Sequence, residues 1–159
     1  MVAIHKISVD FYEDSFHLIA LHSSLEDYAM AYALNRYLKS DFKRCQEDLS
    51  ISEQITIPVF EWKDNLTDRY WTFFTNNGSK EDTLVRSDLF ENETSYTAFN
   101  MVPEYRDVDY FIKIEQDDSD SNRKGETEEL IKSLLTVPSI VTAYAVETDK
   151  LKSKNNLIF

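Results

Sequence analysis

The sequence predicts an α+β fold, an antiparallel sheet with two helices on one face. Residues 107–115 alternate apolar and polar side chains, residues 25–39 and 126–136 repeat apolar side chains at helical spacing, and residues 55–62 and 69–75 are β-branched and aromatic runs separated by a short polar link. The 159 residues match one ordinary domain, long enough to bury a core without disulfides or metal. At 42% hydrophobic and 13% aromatic, the composition is too rich in bulky side chains for a disordered chain. A single domain over 1–159 is expected, with an N-terminal arm at 1–14 and a C-terminal tail at 148–159.

In chain order, the first element is a strand over 15–22. Phe16, Leu18 and Ala20 lie on one face and His17, Ile19 and Leu21 on the other, so the strand is central. Ser23 and Glu26 have the S-x-x-E spacing of a capping box, which starts a helix over 25–39. Leu25, Tyr28, Ala29, Tyr32 and Arg36 form one stripe of that helix, widened by Met30, Ala33, Leu34, Tyr37 and Leu38. Such a surface is broader than one sheet contact needs and leaves part for loops or a second subunit. The runs 55–62 and 69–75 form an antiparallel hairpin across Lys63-Asp64-Asn65. Asn76-Asn77-Gly78-Ser79-Lys80 reads as a turn, and the polar run through Glu81, Asp82, Glu91, Asn92 and Glu93 as a loop.

Alternation over 107–115 places Val108, Tyr110, Ile112 and Ile114 on one face and Asp109, Phe111, Lys113 and Glu115 on the other. An acidic loop over 117–122 leads to a helix over 126–136 that presents Leu130, Ile131, Leu134 and Leu135, and Pro138 ends it. The last strand spans 140–146. This order fits a ferredoxin-like split β-α-β arrangement with an inserted hairpin.

Charge and cysteine content narrow the function classes. Net charge is −12, which opposes binding to nucleic-acid phosphates and to anionic membranes but suits a neutral or basic protein partner. Two glycines exclude a Gly-rich phosphate cradle. The lone Cys45 forms no internal disulfide and, beside Lys43 and Arg44, is expected to be a buried or inert thiol. The start of the chain has no apolar signal region, and no apolar run approaches the roughly 20 residues needed to cross a bilayer. A cytoplasmic address is expected.

Metal and cofactor chemistry find little purchase. His17 and His22 face opposite sides of one strand, and His5 lies apart from both, so no zinc site is expected. Asp118, Asp120, Asn122 and Glu129 follow an EF-hand-like count, but Arg123 stands where the loop needs Gly for its sharp turn. No metal, cofactor or catalytic residue is assigned. The ending carries Lys150, Lys152 and Lys154 and then Leu157-Ile158-Phe159, an apolar triplet expected to dock on this fold, with a partner contact as the alternative.

Val102-Pro103-Glu104-Tyr105-Arg106-Asp107-Val108-Asp109-Tyr110 resembles the motif that names the IPExxxVDY family, with Val102 in place of isoleucine. Residues 18–28 and 151–159 look like the N-terminal and C-terminal blocks of that family. The resemblance implies a small bacterial protein of the Bacteroidetes type and supplies no activity or catalytic residues. Read from the residues themselves, Pro103 stiffens the chain ahead of the strand, and Glu104, Arg106, Asp107 and Asp109 are the polar members open to function. Candidate binding residues are Glu104, Arg106, Asp109, Glu26 and Phe159. The leading expectation is a non-enzymatic protein-binding or adaptor domain that meets a protein partner or self-associates. The alternatives are a small-molecule-sensing regulatory domain and an enzyme using the Glu104 and Asp109 carboxylates.

Overall fold

The two-sided apolar pattern of residues 16–23 makes them a central strand in the computed structural model, which describes residues 16–53, 55–84, 93–115 and 123–159. Strand β1 (Phe16–Ser23) is flanked by β10 (Ile140–Val146) and β9 (Tyr110–Glu115), and β9 continues to β6 (Arg69–Thr75), β5 (Val59–Asp64) and the short β2 (Lys43–Arg44). Every pairing in this six-stranded sheet is antiparallel. The β5–β6 hairpin forms, but Ile55–Ile57 of the first run pair instead with Leu49–Ser52, and Lys63 and Asp64, expected in the turn, still pair with Tyr70 and Arg69. The hairpin turn is held by Asp64, whose carboxylate accepts from the Leu66 amide at 3.0 Å and the Thr67 hydroxyl at 2.5 Å.

Both helices lie on one face. Helix α1 (Asp27–Leu38) buries Met30, Ala31, Ala33 and Leu34 against Ile19, Leu21, Phe73 and Ile112, and α2 (Arg123–Leu135) adds Leu134 with Leu130 and Ile131 at its margin. The opposite face, formed by Phe16, Leu18, Ala20, Phe74 and Phe111, is also largely apolar and is covered mainly by irregular chain. Met101 and Val102 from the motif segment, Leu151 and Leu157 from 148–159, and Ile57 from the ribbon of β3 (Leu49–Ser52) and β4 (Ile55–Ile57) close it. Fully burying an aliphatic side chain such as Leu157 contributes about 1.5–3 kcal/mol. The expected docking of the apolar ending onto this fold therefore occurs through Leu157, while Ile158 remains half exposed.

Several local expectations give way to tertiary contacts. No capping box forms: Ser23 is the last residue of β1, its Oγ accepts from the Leu25 amide at 3.2 Å, and Glu26 is the N-cap without a side-chain cap bond. The helix consequently starts at Asp27. Asn76–Lys80 is not a turn, because Asn77–Leu84 is strand β7, paired over its whole length with β8 (Glu93–Asn100). Glu81, Asp82 and Glu93 accordingly belong to strands, while Glu91 and Asn92 lie outside the described residues. Val108 does not share a face with Tyr110, because β9 begins only at Tyr110 and Val108 turns into the opposite core beside Phe111. Lys113, expected on a polar face, is 1% exposed. The expected arm at 1–14, His5 and the loop over 117–122, with Asp118, Asp120 and Asn122 of the EF-hand-like count, also lie outside the described residues, whereas Glu129 lies in α2.

Asn76 links these layers. It is wholly buried, its Nδ2 donates to the carbonyls of Tyr105 at 2.8 Å and Val108 at 3.0 Å, and its Oδ1 accepts from the Val102 amide at 2.9 Å. Its backbone N–H donates to the Asp109 carbonyl and its own carbonyl accepts from the Met101 amide, both at 2.9 Å. One side chain thus satisfies three backbone groups of an irregular segment that has no ladder to do so. Asn76→Ala should lower unfolding free energy by about 2–4 kcal/mol, because those groups stay buried without partners. Urea denaturation checks this against Leu66→Ala, at a site 97% exposed, where a change within about 0.5 kcal/mol is expected.

Candidate functional site

Pro103 shapes the motif segment differently from a simple lead into a strand. Its fixed φ opens a 3-10 turn over Pro103–Tyr105, closed by the Tyr105 amide donating to the Val102 carbonyl at 3.0 Å. Buried Val102 and Val108 anchor the two ends of the segment, so Glu104, Arg106 and Asp107 face solvent. Glu104 accepts from the Ser153 amide at 3.0 Å and from the Ser153 hydroxyl at 2.6 Å, which clasps residues 148–159 to the motif. The Ser153 hydroxyl, ahead of the neighbouring backbone amides, holds the Glu104 carboxyl below its ordinary range. Phe159 lies farther along the same covering segment, edge-on to Phe74 at 5.6 Å between ring centroids and with its ring 4.6 Å from the Lys113 ammonium.

Asp109 takes a different set of partners. Its Oδ2 accepts from the Ser23 amide at 3.0 Å and sits 4.0 Å from His22 Nδ1, while the His22 ring stacks loosely on Tyr144 at 6.0 Å. Tyr144 is itself pushed up in pKa, first by burial and then by Tyr105 and Asp107. Asp109 therefore locks the end of β1 to the start of β9. Glu104 and Asp109 thus take separate hydrogen-bond partners, Ser153 and Ser23.

Asp27, Asp109 and Glu26 lie within electrostatic reach of the Tyr110 hydroxyl, which donates to the Leu25 carbonyl at 2.5 Å. Burial, followed by those three negative charges, pushes Tyr110 up to about 12. From this acidic corner the outward side of α1 carries Tyr28 and Tyr32, each 66% exposed and one turn apart, followed by exposed Arg36. Of the candidate residues, Glu26 and Asp109 converge here, Glu104 and Phe159 belong to the covering segment, and Arg106 is exposed.

A second concavity lies beneath α2. It encloses about 350 Å³ between the helix and the sheet, lined by His17, Arg69, Trp71, Ile114, Glu126 and Leu130 among others. The register places His17, Ile114 and Trp71 in one row across β1, β9 and β6. An adjoining hollow of about 310 Å³ shares Trp71, Leu130 and Ser133 and extends to Trp62 and Tyr37. Arg69 and Trp71 are absent from the sequence-level candidates, because only the β6–β9 pairing sets them beside α2. Among the described residues, no group of three or more His, Cys, Asp or Glu side chains is arranged to hold a metal ion. No described helix is long and apolar enough to cross a membrane. No protein-family model matches the chain, and no curated protein matches it.

Cys45 packs at the edge of the second core. Burial, then a hydrogen bond to Glu61 and its negative charge, push the thiol up to about 11, outweighing Arg44. Iodoacetamide at pH 8 should therefore alkylate Cys45 about a hundredfold more slowly in the folded protein than in urea, and equal rates would contradict the burial. For Glu104 the sign is opposite. A carboxyl lowered on folding stabilises the clasp above its unfolded pKa and loses that stabilisation as pH falls through the folded value. The Ser153 amide resonance should titrate with a midpoint below the ordinary Glu value of about 4.3, and Glu104→Gln should abolish that titration.

Proposed function

We propose that the protein is a non-enzymatic binding domain whose partner surface is the outward side of α1 with the acidic corner at its start. The exposed pair Tyr28 and Tyr32 beside Glu26 and Asp27 carries this reading. Two aromatic rings one helical turn apart offer contact area with few rotatable bonds, and Tyr is enriched at protein interfaces. Adjacent carboxylates and a net charge of −12 favour a lysine- or arginine-bearing segment, steered in by charge and held over the rings by cation–π contact. The motif and its neighbours support placing the chain with IPExxxVDY-type bacterial proteins, working in the cytoplasm. The strand order β10, β1, β9, β6 supports a ferredoxin-like split β-α-β core, with β5 added beyond β6 and the β7–β8 hairpin inserted between β6 and β9. A second reading, small-molecule sensing, is favoured by the cavity under α2.

A photo-crosslinking amino acid at position 32 should capture a discrete partner in cells, and capture should fall with added salt in lysate and in an E26Q/D27N background. The same probe at the exposed Leu66 is the control. Identical products from both positions would overturn the assignment of α1.

A further inference from the structure

Arg69 reaches the cavity under α2 with its Nε unused. Its Nη2 is paired with Glu126 Oε2, while the buried Nε has no hydrogen-bond partner among the described residues. Nε and Nη2 form the side-on fork of a guanidinium, spaced for the two oxygens of one carboxylate. Glu126 fills only one prong. Its side chain is 48% exposed at the rim, whereas that of Arg69 is 18% exposed. Trp71, 6% exposed and also lining the cavity, has a buried indole Nε1 without a partner among the described residues. Such orphaned buried donors are uncommon in folded proteins. Ile114, Leu130 and the Trp71 ring supply an apolar wall beside them.

We propose that this cavity binds a small monocarboxylate with an aromatic or branched aliphatic body, and that Glu126 occupies one prong of the Arg69 fork until the ligand displaces it. This rests on the small-molecule reading and names its ligand class. The chemistry excludes neighbouring classes: a hydrocarbon leaves the donors orphaned, a cation meets Arg69, and a dicarboxylate brings its second charge against Glu126 and Glu129. The volume, about 350 Å³, is at the lower end for ligand sites and suits a compact molecule.

The chain has two tryptophans, so their indole N–H signals are separately visible by NMR and assignable with W62F. Titration with phenylacetate should shift the Trp71 signal saturably, with 3-methylbutanoate acting likewise. Phenylacetamide, which lacks the charge, should bind about tenfold more weakly, and R69K, which lacks the fork, should weaken phenylacetate by a similar factor. E126Q removes the competing carboxylate from an exposed position and should tighten binding. Circular dichroism confirms folding of both variants, and E126Q alone tests the displacement should R69K unfold. Equal binding of phenylacetate and phenylacetamide overturns the carboxylate assignment while leaving a small-molecule cavity. Absence of any shift with all three compounds overturns both, and weaker binding by E126Q overturns the displacement.

Discussion

Strands β1 and β9 have no polar face, and this constraint governs the rest of the architecture. Ile19, Leu21 and Ile112 need cover on one side while Leu18, Ala20 and Phe111 need it on the other. Two helices satisfy only the first side. The second is closed by the motif segment and residues 148–159, which have little regular structure and so few backbone hydrogen bonds of their own. The buried Asn76 amide makes that solution affordable by taking up the carbonyls of Tyr105 and Val108 and the amide of Val102.

This explains why the most distinctive stretch of the sequence is chiefly architectural. Val102 and Val108 are pegs in the second core, Glu104 clasps Ser153, and Asp109 fastens β1 to β9. Lys113 shows the same pressure on a charged residue. Its ammonium is buried under Phe16 and Phe159, and the desolvation penalty is offset by Glu115 at 2.8 Å and by the two ring faces. With the second face closed, concave and aromatic surface is left on the helix side. There, α1 turns Tyr28 and Tyr32 outward and α2 stands off the sheet over Trp71.

Much of the fold is legible in local pattern because local physics sets it. Strand β10 falls on the predicted residues, the aromatic hairpin forms, and both helices appear within a few residues of their periodic segments. Local pattern gives way where a distant partner outweighs a local preference. Ser23 could cap a helix, yet its amide is held by Asp109, 86 residues away. The Asn76-Asn77-Gly78 run has turn composition, yet Asn76 is recruited as an internal hydrogen-bond clamp and Asn77 begins a paired strand. The candidate residues Glu26 and Asp109 were individually visible as carboxylates, but their convergence around Tyr110 depends on the β1–β9 register.

By itself the sequence determined the class of the fold, the central place of β1 and the acidic character, because periodicity and composition act over a few residues. Only the tertiary structure decided which face each motif residue serves, which carboxylates meet and where the protein is concave. Those outcomes depend on strand register and on long-range hydrogen bonds between segments whose separation in the chain carries no local signal.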